Sequence, residues 1–305
     1  MERPGGGCGV VALDHLAVTT LAMLAVSACE GVREPVFLSL DSGSGRDAAG
    51  LQWVLVPAGE FTMGSPPDEP CRGNDEQSHL VRLTRAFELA SIETTRRDFS
   101  ALMGYVPPPA GTCGDSCPVT GVTWHEAAAF CNALSAARGL EACYTCDAGT
   151  CRPTSAAEGA GIYGCAGFRL PTEAEWERAC RAGGQAALYT GAIGSCEGAD
   201  PAVDALAWYD KNAQGGVHAA AEKQSNAWGL YDMAGNAWEW CHDGYQPDLG
   251  AELAVDPWGA PSSAVGVGRG GAWDEASGHS RAAFRNPTER GFTDESAGFR
   301  CARTR

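Results

Sequence analysis

The segment NAWGLYDMAGNAWEW, Asn226–Trp240, concentrates three of the nine tryptophans of the chain with two carboxylates and two glycines. A helix would place its aromatic side chains on several faces and would break near Gly229 and Gly235. A strand would not tolerate the run from Gly229 to Gly235 either. We therefore predict that this segment is an irregular buried loop.

An irregular loop leaves backbone carbonyls without ladder partners, and burying them is costly unless something else satisfies them. A hard cation is one candidate. Asp232 and Glu239 would supply charged oxygens, and the carbonyls near Gly235 and Ala237 would complete the all-oxygen set that calcium prefers. The alternative is that both carboxylates only cap turns. The residues alone leave both interpretations open.

Composition limits the possible functions. The 305 residues include 40 glycines and 17 prolines, and only 20% are charged, which favours a loop-rich fold of one large domain or two ordinary ones. The formal net charge is −16 and no basic run is present, so nucleic-acid binding is excluded. Cation binding is compatible with this charge.

Fourteen cysteines require either an oxidising compartment or cysteine-rich metal sites. The apolar run Leu16–Cys29 ends in VSAC and resembles a bacterial lipoprotein signal, which favours export over a cytosolic protein with a chance apolar stretch. We predict a signal peptide over 1–28, lipidation of Cys29, a flexible tether over 29–50 and one domain over 51–305. Glu30 indicates anchoring to the outer membrane of the cell envelope.

Three helices are predicted from their N-terminal caps. Thr95, Thr123 and Thr172 each precede an acidic residue by three positions and an apolar run. The acids of the third helix, Glu173, Glu175 and Glu177, are interpreted as solvated partners of the helix dipole. Strand-like residues occupy 53–64, broken at proline and glycine, and 79–84.

The cysteines at 143, 146, 151 and 165 have a spacing that fits either a zinc site or two local disulfides, and an export signal favours the disulfides. Further along the chain, mixed charge between Arg269 and Cys301 would suit the lining of a polar cleft, for which the candidates are Trp273, Glu275, Arg281 and Arg285. Solvated loop charge is the alternative interpretation.

Six motifs follow one another along the chain: VPAGEFTMG (Val56–Gly64), PVTGVTW (Pro118–Trp124), RLPTEAEWE (Arg169–Glu177), GLYDMAGNAWEW (Gly229–Trp240), RGGAW (Arg269–Trp273) and GFRC (Gly298–Cys301). They occur in the order seen in the sulfatase-modifying-factor family, the formylglycine-generating enzyme superfamily, which the chain resembles over about residues 53–303. This resemblance implies an α+β, loop-rich domain of the irregular formylglycine-generating-enzyme fold, which is C-type-lectin-like and low in regular secondary structure.

The resemblance also implies particular sites. The family's calcium site corresponds here to Asp232, Gly235, Ala237 and Glu239. A second calcium site would lie around Asn212, although its acidic ligand has no clear counterpart in this chain. The family's disulfide from the third helix to the C-terminus would join Cys180 to Cys301.

The active family member oxidises a sulfatase cysteine to formylglycine with copper held by two cysteines that follow the Arg-Gly-Gly turn. In this chain 272–300 contains no cysteine, and copper(I) needs soft thiolate ligands, so copper is not expected. We therefore expect a calcium-stabilised, exported, non-oxidase protein that binds a polypeptide, glycan or envelope component. The alternative is an enzyme: a formylglycine-generating oxidase, or a related oxidase with a relocated metal site.

Overall fold

The structure, a computed structural model, describes residues 52–108, 111–260 and 263–305. The predicted signal peptide over 1–28, the lipidation of Cys29 and the tether over 29–50 therefore lie outside the described residues. Within the described ranges, no helix is long and apolar enough to cross a membrane.

The helices are short and begin where their caps predict. Helix α1 spans Arg96–Met103, α2 spans Trp124–Ala137, α3 spans Glu173–Arg181 and α4 spans Pro201–Asp204. Thr123 and Thr172 form complete capping boxes, in which each threonine side chain accepts from the backbone of the third helical residue and the glutamate there accepts from the cap. The three helices predicted from sequence are thus confirmed.

Two three-stranded sheets each combine two strands from the beginning of the domain with one strand from its C-terminal part. Strands β1 (Trp53–Val56), β4 (Phe87–Ala90) and β12 (Ala302–Thr304) pair antiparallel in the order β1-β4-β12. Strands β2 (Gly59–Met63), β3 (His79–Leu83) and β8 (Ala254–Val255) form the second sheet in the order β2-β3-β8. The predicted strands at 53–64 and 79–84 are confirmed, with the break between β1 and β2 at Pro57.

A four-stranded sheet includes the last three residues of the predicted Trp-rich loop, Trp238–Trp240. Its order is β10-β9-β7-β11, and its strands are β7 (Trp238–Gly244), β9 (Val265–Arg269), β10 (Asn286–Glu289) and β11 (Ala297–Gly298). The prediction of an irregular loop is right for 226–237. It is wrong from Trp238 onward, because Trp238, Glu239 and Trp240 pair in register with β9 or β11.

Helix α3 is the centre of the core, since all nine of its residues are buried. The interpretation of its acids as solvated is wrong. Glu175 accepts two hydrogen bonds from Arg169 at 2.6 and 2.8 Å, and Glu177 pairs with both Arg181 and Arg269. A buried carboxylate needs such a partner, because leaving it alone in the core would be very costly.

The cysteine-rich segment forms two local disulfides, Cys143–Cys165 and Cys146–Cys151, the second across the hairpin of β5 (Tyr144–Asp147) and β6 (Thr150–Pro153). The preference for disulfides over zinc is thereby confirmed. Two more bridges, Cys71–Cys196 and Cys113–Cys117, bring the number among the described residues to four.

Candidate functional site

The loop before β7 has a backbone that only certain residues tolerate. Asp232, Gly235 and Asn236 all adopt positive φ values, of 55°, 96° and 66°. Aspartate and asparagine accept this left-handed region better than most residues. A side chain at Gly235 would meet the Trp208 carbonyl oxygen, which lies only 2.4 Å from the position of an added Cβ. These residues therefore fix a tight buried turn at the centre of the fold.

Asn226 ties this loop to helix α3. Its side-chain amide donates to the carbonyls of Ala179 and Cys180 at 2.8 and 3.1 Å, and its carbonyl accepts from the backbone of Trp228 and Leu230. The amide thus satisfies carbonyls at the helix end and closes the loop on itself.

An acidic cluster lies beneath the loop, formed by Glu93, Asp232 and Glu239, all buried. Arg300, from the GFRC motif, is fully buried and donates to both oxygens of Glu239 at 2.6 Å. Trp176 Nε1 donates to Glu239 at 2.7 Å. The Trp-rich and GFRC motifs, far apart in sequence, therefore meet in this one ion pair.

The cluster holds more negative charge than Arg300 neutralises. Burial, together with the charges of Asp232 and Glu239, raises the pKa of Glu93 well above its usual value. Burial also raises the pKa of Asp232 to about 6, against the hydrogen bond from the Ala221 backbone. Glu93 accepts from the Asn236 amide and the Ala237 backbone at 3.0 and 3.1 Å. Nothing in the sequence around Glu93 marked it as a member of this site.

The four predicted calcium ligands lie next to or within the acidic cluster. Asp232, Gly235 and Ala237 lie on the turn beside the acidic cluster, and Glu239 follows on β7. The excess buried negative charge fits a cation. Glu239, however, already has both oxygens bonded to Arg300. Among the described residues, no three His, Cys, Asp or Glu side chains form a group that could hold a metal by themselves. A cation here would need backbone carbonyls.

Asn212, the residue predicted for a second calcium site, is used in a local turn. Its side-chain oxygen accepts from the backbone of Tyr209 at 2.9 Å, and its amide donates to Ala207 O at 2.9 Å and to Asp204 at 3.3 Å. Both ends of the side chain are therefore occupied by neighbouring residues.

The segment after the Arg-Gly-Gly turn forms a partly open cleft. Glu275 accepts from His279 Nδ1 at 2.6 Å and from Trp238 Nε1 at 3.3 Å, and each partner of the Glu275–His279 pair is about one-third exposed. His279 lowers the pKa of Glu275 by hydrogen bonding to the carboxylate. His279 also packs on Phe284, with ring centroids 4.2 Å apart.

Beside this pair lies a pocket on one face of the four-stranded sheet. Trp238 and Trp240 form its aromatic walls. No described residue makes a hydrogen bond to the side chains of Asn286 or Thr288 on β10. Asp294 accepts from Ser296 through one oxygen only. The lining residues are Trp238, Trp240, Gly268, Asn286, Thr288, Asp294 and Ala297.

Of the four cleft candidates, Glu275 and Trp273 are half-buried after the Arg-Gly-Gly turn. Trp273 packs against the cluster of Cys117, Val217 and Ala237. Arg281 and Arg285 were predicted wrongly as cleft lining. Arg281 is fully buried between Glu69 and Glu76, and Arg285 is bonded to Glu173 at 2.6 and 2.9 Å. Both arginines are structural, because their guanidinium groups are bonded to buried glutamates. These glutamates come from distant segments of the chain, so sequence spacing does not reveal the pairs.

The predicted disulfide between Cys180 and Cys301 is also wrong in this structure, in which both residues are free thiols. Cys301 Sγ lies 3.5 Å from Cys131 Sγ on α2, whereas Cys180 Sγ points to the Met233 carbonyl at 3.5 Å. Cys241 is likewise a buried free thiol, and burial raises its pKa well above the usual value.

The fold and the site define a class of protein: a loop-rich α+β domain in which a Trp-rich turn and a C-terminal GFRC motif are joined through a buried Glu–Arg pair. The chain belongs to the family of the sulfatase-modifying factor enzyme 1-like domain, whose model matches residues 44–305. This confirms the expected family.

Several relatives show different extents of similarity. The chaperone protein LppX of Paenibacillus barcinonensis is 28% identical over 263 residues, which cover 77% of this chain and 83% of LppX. The formylglycine-generating enzyme of Streptomyces coelicolor is 36% identical over 154 residues, 45% of this chain and 47% of the enzyme. The inactive C-alpha-formylglycine-generating enzyme 2 of Mus musculus is 35% identical over 161 residues, 47% of this chain and 46% of its own. The chain thus matches less than half the length of these two enzyme-family relatives.

Solved structures confirm the fold. Treponema denticola variable protein 1 superposes with a TM-score of 0.70 at 29% identity, covering 84% of this chain and 95% of the other. PvdO from Pseudomonas aeruginosa superposes with a TM-score of 0.68 at 24% identity, covering 85% and 96%, and this likeness concerns the fold alone.

Proposed function

We propose that this protein is an exported recognition protein that uses the cleft around Trp238 to bind a polypeptide, glycan or other envelope component, and that it does not oxidise cysteine. The observation that carries the proposal is the content of the segment after the Arg-Gly-Gly turn. Glu275 and His279 are paired there, and 272–300 holds no thiol. Carboxylate and imidazole do not replace the thiolates that copper(I) requires.

The adjacent pocket has the features of a recognition site. Indole walls supply apolar area, and the polar ends of Asn286, Thr288 and Asp294 are available to fix the orientation of a ligand. The unused oxygen of Asp294 and the acidic character of the whole chain favour a basic side chain, and therefore a polypeptide. A polypeptide ligand also agrees with the name of the relative LppX, a chaperone protein.

Calcium is part of this proposal as a structural ion. The support is the acidic cluster, in which Glu93, Asp232 and Glu239 share one arginine. A cation bound beside Asp232 would offset this excess charge and would stabilise the native state only. Its role in recognition would be indirect, because the turn leads directly into Trp238 on β7.

Export is supported by the four disulfides, which form and persist in oxidising compartments. Lipid anchoring through Cys29 at the outer membrane remains a proposal based on the VSAC sequence. Palmitate labelling of the full chain tests it, because labelling should disappear in Cys29→Ser. Unchanged labelling and membrane fractionation in that variant would contradict the anchor.

One observation favours an enzyme as the second candidate. Glu275 orients His279 through Nδ1, which leaves Nε2 of a neutral ring as a base in a partly open cleft. Such a pair is also a common surface ion pair, and no nucleophile is bonded to it among the described residues. We therefore place recognition first.

The test is capture of ligands from envelope extract by the immobilised full chain, with and without calcium. Asp294→Asn should lose the specific polypeptide that the wild type retains. Glu289→Gln is the matched control, since it removes the same charge from the same region but lies on the exposed face of β10, one position from Thr288. Equal capture by all three proteins would contradict the proposed cleft.

A further inference from the structure

A second cavity lies at the start of helix α3, apart from the cleft that holds Trp238 and Asp294. It is bounded by the ends of β2, β3 and β7, by β8 and by the segment 257–259. It is open to solvent, and about 440 Å³ of empty space lies between its walls and its mouth. The lining residues that matter here are Met63, His79, Glu173, Asp243, Leu249 and Trp258.

His79 gives this cavity a buried hydrogen-bonding group. The side chain is only 5% exposed, and Nδ1 donates to the Gln77 carbonyl at 2.9 Å. Because a carbonyl oxygen can only accept, Nδ1 carries a proton, and in the neutral imidazole Nε2 is then the acceptor. No described residue donates to Nε2. An acceptor that lines an open cavity and lacks a protein partner is suited to a ligand hydroxyl.

The acids of the cavity are already neutralised or bonded. Both oxygens of Glu173 accept from Arg285, at 2.6 and 2.9 Å. Asp243 accepts from the backbone of Glu173 and of Gly259, at 2.7 and 2.6 Å. Burial and the charge of Glu173 raise the pKa of Asp243 to about 8, so this carboxyl is largely uncharged near neutral pH. A charged ligand would find no free counter-charge in the cavity.

Trp258 supplies an exposed aromatic wall. Its side chain is 38% exposed, so the indole is accessible from the mouth of the cavity. It is held in place from behind, since a Cβ added at Gly159 would come within 3.1 Å of the indole ring. The Tyr163 hydroxyl donates to the Pro257 carbonyl and fixes the preceding residue. The indole is thus preorganised at the mouth of the cavity.

We infer that this cavity binds an uncharged, hydroxyl-rich ligand of about one sugar ring, with its apolar face against Trp258 and one hydroxyl donating to His79 Nε2. Leu249 and Met63 provide the remaining apolar contact. The ligand is a free monosaccharide or the terminal residue of a glycan, which present the same chemistry to the cavity. This inference is independent of the function proposed for the Trp238 cleft.

Saturation-transfer NMR on the full chain tests the inference with glucose, galactose, mannose and N-acetylglucosamine, and with the charged sugars glucosamine and glucuronate. At least one neutral sugar should bind saturably, and the charged sugars should bind more weakly. Methyl glycosides and a short oligosaccharide of the bound sugar then distinguish a free sugar from a glycan end.

Trp258→Ala and His79→Phe should each weaken the binding of that sugar by about tenfold, the effect of one lost contact or hydrogen bond. Phe292→Ala is the matched control, because Phe292 is 54% exposed and does not line the cavity. Melting curves confirm that the variants are folded, and Asp294→Asn should bind the sugar normally. No saturable binding of any neutral sugar, or full binding by folded Trp258→Ala, would overturn the inference.

Discussion

Asp232 is the residue at which charge, backbone strain and stability are most directly linked. It adopts a positive φ at the centre of the turn, and burial raises its pKa from 3.8 to about 6. The folded chain therefore holds this proton more tightly than the unfolded chain does. The resulting stabilisation is fully present below about pH 4 and is lost as the pH rises to about 6, with a total of about 3 kcal/mol.

Urea unfolding between about pH 4 and 7 in the presence of a chelator measures this loss. Asp232→Asn should reduce the slope between about pH 4 and 6. Asp243, whose pKa burial raises to about 8, and Glu93, whose pKa burial also raises, should still cause a loss across this range and above it. Added calcium should restore stability near neutral pH in the wild type only, because the ion favours the ionised carboxylate. A slope between about pH 4 and 6 that is the same in the variant and the wild type, or stability that does not respond to calcium, would indicate that Asp232 only caps a turn.

Residue identity alone could not predict which charged groups are structural. Arg281 and Arg285 were expected in a cleft because they stand among acids in a loop-rich segment. The structure pairs them with Glu76 and Glu173, more than 100 residues away in sequence. Glu275, by contrast, pairs with His279, only four positions along the chain. Local pairs are visible in a sequence, whereas long-range pairs depend on the fold.

Helix α3 is the element whose ion pairs contribute most to the core. Glu177 accepts from the Gly64 backbone and from Arg181, both at 2.8 Å, and also pairs with Arg269. Glu177→Ala would leave these buried donors without a partner, so we expect a loss of about 3–5 kcal/mol in the free energy of unfolding.

Glu60→Ala is the control, because it also removes one glutamate of an ion pair. Glu60 pairs with Arg82 at the surface, where the two side chains are 44% and 49% exposed. Its cost should be less than about 1 kcal/mol. Denaturant unfolding of both variants checks the difference. Similar losses in the two variants would show that the α3 ion pairs are not the buried network described above.

The helices themselves were predictable because their signals are local. Threonine caps followed by acids three positions later fixed the starts of α1, α2 and α3. The transition from loop to strand at Trp238 was not predictable, because it depends on the pairing of β7 with β9 and β11. Sequence periodicity does not report such partners.

For the whole molecule, two disulfides that close loops of very different length should stabilise the fold to different extents. Cys71–Cys196 closes a separation of 125 residues, and Cys113–Cys117 closes one of only 4. In the chain-entropy model, the first should stabilise the fold by about 5 kcal/mol and the second by about 2 kcal/mol. Replacing each pair with alanines and measuring unfolding checks this order.

Non-reducing peptide mapping of the same samples identifies the pairs. Cys131, Cys180, Cys241 and Cys301 should be recovered as thiols. Recovery of a peptide that joins Cys180 to Cys301 would contradict the structure and restore the pairing implied by the family.

The order of the six motifs was sufficient to predict the family and the loop-rich α+β fold, since each motif occupies a buried turn, strand or helix start. It was not sufficient to predict the site. Glu93 joins the acidic cluster from a segment without a distinctive pattern, and Arg300 reaches Glu239 only because the C-terminus folds back beside β7. The function of the cleft therefore depends on contacts that the motifs do not contain.

The central claim is that the cleft after the Arg-Gly-Gly turn recognises a ligand and does not oxidise cysteine. The most direct measurement is mass spectrometry of a Cys-x-Pro-x-Arg peptide incubated with the copper-loaded full chain and oxygen. We predict that the peptide mass stays unchanged, because Cys241 and Cys301 are fully buried thiols and the cleft segment contains none. Conversion of the peptide thiol to an aldehyde, abolished by Cys241→Ser or Cys301→Ser, would contradict the claim.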